Sequence, residues 1–168
     1  VYPIVNVLFG IALAFAAGGS AVVALHIGGG KKDAASRAFS ASVIASMLVG
    51  GLVALGVLLN LSGILTLLGA TPLTMRDCKI YALWWLWGTP LMIGKELFPY
   101  FIRVDGSPTY SFATALSGGV LNIVMDYVLV GRMQMGIRGA ALATIMGLAL
   151  STCMGIYYFL RKNKTFSF

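Results

Sequence analysis

The chain has 168 residues, 59% of them hydrophobic and 10% charged, with a formal net charge of +7 and a mean hydropathy of +0.91. That balance excludes an ordinary soluble domain and identifies an integral membrane protein. The surplus of basic residues does not signal nucleic acid, because they stand singly between apolar runs and form no stripe.

No Asp, Glu, Lys or Arg occurs from 38 to 75 or from 139 to 160. Apolar runs of this length read as spanning helices. Five are expected, at about 4–25, 39–61, 80–102, 109–131 and 139–160. The fold class is therefore an all-α polytopic helical bundle. In the first span Ala14 and Gly18 form a small-residue pair suited to close helix packing. The connector after it, 28–37, contains GGGKK. A phosphate loop would need a glycine where Leu25 stands and Ser or Thr where Lys32 stands, so this is a turn with anchoring lysines. The adjacent His26 reads as an interfacial residue.

The third span carries Trp84, Trp85 and Trp87 near one end, the pattern of an interfacial aromatic belt. It also carries Lys95 beside Glu96, expected to form an inner-leaflet ion pair that snorkels to the cytoplasm, with a role of Glu96 in substrate passage as the alternative. Connector basicity alternates along the chain. Lys31, Lys32, Arg37, Arg103, Arg161, Lys162 and Lys164 make seven on one side, against four (Arg76, Lys79, Arg132 and Arg138) on the other. The positive-inside rule places 28–37, 103–108 and the tail RKNKTFSF in the cytoplasm. Cys78 and Cys153 then lie at different depths, which argues against a disulfide, and no Cys/His cluster suggests a metal.

The fourth span contains a carboxylate, Asp126, in the run NIVMD. An aspartate at mid-membrane costs about 2.5–3.5 kcal/mol on insertion scales, so its presence calls for a function. Ser111, Ala115, Gly118, Asn122 and Asp126 recur at spacings of three and four and share one face, opposite Leu116, Val120, Val124 and Tyr127. Counted from the nearer end of each span, Tyr81, Asn122, Asp126 and Thr144 fall in one layer of the outer half of the bilayer. One carboxylate, one amide and two hydroxyls can hold a proton or a cation, or else clamp helices together. Ser117 has no histidine at its depth and is not a nucleophile. In the fifth span Gly139, Ala143, Gly147, Ser151 and Gly155 form a stripe of small residues at every fourth position.

LLGATP (67–72), YALWWLWGTP (81–90), FIRVDGSP (101–108), NIVMD (122–126) and GIRGAALAT (136–144) follow one another in an order and spacing that resembles the first half of MATE, multidrug and toxic compound extrusion, transporters. The resemblance covers essentially the whole chain as spans two to six, a partial N-terminal lobe over 1–168, and its Arg-x-Asp-Gly-x-Pro turn is similar to the bacterial multidrug exporters. It implies an antiporter of the cytoplasmic membrane that exchanges H⁺ or Na⁺ for organic, often cationic, drugs by alternating access. It also implies a cation site at Asp126, Asn122, Tyr81 and Thr144, with no cofactor beyond the coupling ion and no metal beyond a Na⁺ at Asp126. The chain reads as a piece whose partners are the lipid bilayer, the drugs and the remaining half of the transporter, with a further span, in many members carrying an acid, expected before Val1. A lipid-linked oligosaccharide flippase and a non-transporting scaffold are the alternatives; an enzyme is not expected.

Overall fold

The computed structural model describes residues 1–161, so the basic tail with Lys162 and Lys164 lies outside the described residues. Seven α-helices follow in chain order: α1 Tyr2–Gly28, α2 Lys32–Leu59, α3 Leu61–Leu67, α4 Met75–Trp87, α5 Thr89–Val104, α6 Pro108–Asp126 and α7 Gly136–Leu160. The end of α6 widens into a π-helical stretch, Tyr127–Arg132, and no strand occurs among the described residues. α1, α2, α6 with its π extension, and α7 have 25 to 28 residues each and are apolar enough to cross a membrane. At 1.5 Å per residue they reach about 38–42 Å, beyond the roughly 30 Å hydrocarbon core. The protein is an all-α, multi-pass membrane bundle.

The expected third span is not one helix. It breaks between α4 and α5 at Gly88. Pro90 has no N–H to donate to the carbonyl of Leu86, and its ring disfavours a helical residue before it. The Thr89 hydroxyl makes up part of the loss by donating to the Trp85 carbonyl at 3.3 Å. Two other turns are closed by glycine. In GGGKK, Gly30 takes φ +71° while Lys31 N–H reaches the His26 carbonyl at 2.9 Å. In RVDGSP, Gly106 takes φ +85° and Ser107 N–H reaches the Ile102 carbonyl at 3.1 Å. Both are Schellman caps, for which a left-handed glycine is the cheapest residue.

Two apolar clusters hold the bundle. At the end bearing the 105–107 turn, Ala16, Phe39, Phe98, Phe101, Ile102 and Phe159 join α1, α2, α5 and α7, with the Phe39 and Phe101 rings edge-to-face at 4.9 Å. At the other end Leu8, Leu65, Leu86 and Met92 join α1, α3, α4 and α5. The α7 stripe is buried throughout, and it packs against two neighbours. A methyl on Gly147 would stand 2.5 Å from the Gly118 carbonyl of α6, and one on Gly155 would stand 2.5 Å from Phe98 Cβ of α5. In the first span the expected pair fails: Ala14 and Gly18 face outward, while Ala12, Ala16 and Ser20 are buried.

Candidate functional site

α6 and α7 run antiparallel, and their hydrogen bonds fix the register. Tyr110 donates to the Met154 carbonyl at 3.2 Å, and Ser151 donates to the Thr114 carbonyl at 2.8 Å. α5 joins the pair through Thr152, which donates to the Leu91 carbonyl at 2.7 Å, and through Ser111, which donates to the Pro99 carbonyl at 2.7 Å. Small residues at the crossing let these backbones approach and leave a cleft between the three helices.

That cleft has a volume of about 180 Å³ and is lined by Asn122 of α6, Thr144 and Ser151 of α7, and Lys95 of α5. The structure thus brings Asn122 and Thr144 together. Tyr81 is elsewhere: it lines a groove of about 260 Å³ between α1 and α4, with Asn6, Phe9 and Trp85. Asp126 closes α6 one turn beyond Asn122, where the π stretch begins, and lines neither cavity. Its Oδ1 is buried and has no hydrogen-bond partner among the described residues. Such an orphaned oxygen is costly, about 1–3 kcal/mol and more when charged, unless a proton or a cation satisfies it. π stretches recur at functional sites because they re-aim side chains at the cost of helical regularity.

The face expected on α6 is rotated slightly from the buried one. Ser111, Thr114 and Gly118 are buried, whereas Ala115 is exposed. Leu116, Val120, Val124 and Tyr127 face outward as expected. Ser117 lies 3.0 Å from both the Thr114 carbonyl and Met154 Sδ, a packing hydroxyl. Among the tryptophans, Trp84 and Trp87 are exposed, but the Trp85 indole N–H is buried without a partner among the described residues. No disulfide joins Cys78 and Cys153, and among the described residues no group of three His, Cys, Asp or Glu could hold a metal.

Two functional features escaped the sequence reading. Lys95 pairs with Glu96 as expected, with its side chain 36% exposed, and it also lines the cleft. Its depth was the available signal: eight residues before Arg103 is about 12 Å along the helix. The second is Thr114, fully buried on α6, whose backbone carbonyl accepts the Ser151 hydroxyl.

The MatE family model matches residues 1–128. The multidrug export protein MepA of Staphylococcus saprophyticus is 30% identical over 163 residues, covering 96% of this chain and 36% of that protein. The chain therefore spans little more than a third of that relative's length. Solved inward-facing and outward-facing structures of a multidrug resistance MATE family transporter of the MOP superfamily have the same fold, with TM-scores of 0.87 and 0.88 at 21% and 22% identity. They are covered over 36% of their length by 95% and 96% of this chain. The chain belongs to the MatE family.

Proposed function

We propose that this chain is part of the N-terminal lobe of a cation-coupled antiporter that exports organic, often cationic, drugs across the cytoplasmic membrane. The relatives' multidrug export activity supports the substrate class. The observation that carries the coupling role is the buried, partnerless Oδ1 of Asp126, one turn from Asn122. An oxygen without a protein partner is satisfied by binding a proton or a coupling ion and orphaned again on release. That gives two states of one site, the requirement for exchanging an ion against a drug. Similar fit to inward-facing and outward-facing folds supports a lobe that keeps its internal packing while it rocks against its counterpart.

Asp126→Asn keeps the size of the side chain but removes its titratable charge. In the full-length transporter the variant inserts and folds normally, and ion-driven efflux of ethidium from loaded cells is largely abolished. Efflux at the wild-type rate in Asp126→Asn would show that the residue is a structural clamp.

A further inference from the structure

α2 is longer than the hydrocarbon core is thick, and its sequence shows where the excess lies. Residues 38–59 carry no charge and extend about 33 Å at 1.5 Å per residue, close to the roughly 30 Å core. Lys31, Lys32, Asp33 and Arg37 come just before that run, at the depth of the lipid headgroups. All four are exposed, and they line one open hollow of about 410 Å³ at the turn between α1 and α2. The other basic side chains at this end have partners. Arg103 lies over the Tyr100 ring at 5.6 Å, and Arg161 over the Tyr157 ring at 4.7 Å. Lys31, Lys32 and Arg37 have no side-chain hydrogen bond, ion pair or ring contact among the described residues, and Asp33 pairs with none of them.

Three cations against one carboxylate leave the hollow with a surplus of positive charge. Like charges on one turn repel one another, and a bound anion relieves that repulsion. A phosphate suits the lining, because a guanidinium can meet it with two parallel hydrogen bonds and the ammonium groups meet it as point charges. The surface running on from the hollow is apolar. Arg37, Ala41, Ile44 and Leu48 recur at spacings of four, three and four, share one face of α2, and are all exposed. A ligand that fits both parts has a phosphate at its head and hydrocarbon behind it; a free phosphate would use only the first. We propose that the α1–α2 turn binds an anionic phospholipid, with its phosphate among Lys31, Lys32 and Arg37 and an acyl chain along Ala41, Ile44 and Leu48. This site shares no lining residue with the α5–α6–α7 cleft and does not depend on the export reading.

The test uses the full-length transporter in detergent, with the thermal midpoint followed as phosphatidylglycerol or phosphatidylcholine is added in mixed micelles. Wild type gains several degrees, saturably, with phosphatidylglycerol and not with phosphatidylcholine. Lys31→Gln/Lys32→Gln/Arg37→Gln weakens the apparent affinity about ten-fold or more, whereas Lys31→Arg/Lys32→Arg/Arg37→Lys retains it. Arg76→Gln/Lys79→Gln/Arg138→Gln removes the same charge at the opposite end and leaves the response unchanged. Should the triple glutamine change at the turn prevent folding, Arg37→Gln alone, at an exposed position, still weakens the response several-fold. Four results overturn the proposal: a wild type that does not distinguish the two lipids, a folded neutral turn variant with the wild-type response, an equal loss from the charge removed at the opposite end, and the same saturable shift with glycerol phosphate, which has the head chemistry without the chains.

Discussion

The close approach of α6 and α7 has a direct mutational consequence. A Cβ added at Gly147 would lie 2.5 Å from the Gly118 carbonyl oxygen and 3.0 Å from Asn122 Cβ. Neither neighbour is the end of a flexible side chain, so the helices themselves must separate. Overpacking of this kind costs about 1–3 kcal/mol. Gly18, within α1, has nothing within 4 Å of its would-be Cβ. Alanine there gains helix propensity, up to about 1 kcal/mol, without a clash. Both substitutions receive the propensity gain, so it cancels in the comparison and the clash remains. At roughly 2–4 °C per kcal/mol for a chain of this size, Gly147→Ala should melt several degrees below Gly18→Ala in detergent. Intrinsic tryptophan fluorescence reads the transition. Equal melting temperatures for the two variants would refute the close-packed crossing.

Two further predictions use other parts of the bundle. The Tyr158 hydroxyl lies 2.7 Å from both Asp105 Oδ2 and Ser107 Oγ, tying α7 to the turn between α5 and α6. Tyr158→Phe keeps the ring packed on Tyr110 but removes a bond to a carboxylate, and should lower stability by about 1–3 kcal/mol; an unchanged melting temperature in detergent would show that this tie contributes nothing. For topology, Asp33→Cys in a protein lacking Cys78 and Cys153 should be shielded from an impermeant thiol reagent added outside intact cells, and labelling there would reverse the assigned orientation.

Four of the expected spans were legible because length and apolarity are properties of a run and need no partner. The third was legible as apolar but not as broken. Hydropathy does not register a missing donor, and Pro90 was visible in the sequence without revealing whether its neighbours would bend or compensate. The Gly139–Gly155 stripe was readable because small residues at every fourth position permit backbone approach, and little else explains them. Ala14 and Gly18 show the limit of that argument, since the same spacing on α1 faces outward.

Depth and azimuth also separate in the candidate site. Counting residues from the ends of spans correctly puts Asn122 and Thr144 at one level, and the structure brings them to one cleft. Tyr81 falls at a similar count, but which way it faces depends on how α4 is turned after the break, and it meets α1. On α6 the difference is about 100° per residue against a spacing of three or four. Relative to Ser111, Thr114 falls about 60° to one side and Ala115 about 40° to the other, so the pattern alone leaves the centre of the face open by a third of a turn. The buried side is the one carrying Thr114, because its backbone carbonyl meets the Ser151 hydroxyl of α7. That rotation moves Asp126 toward the edge of the packed face, one turn past the cleft, and turns the cleft wall over to Lys95. A lysine read from sequence as anchored at the surface thus lines the same cleft as Asn122 and Thr144, through a helix rotation that no residue count supplies.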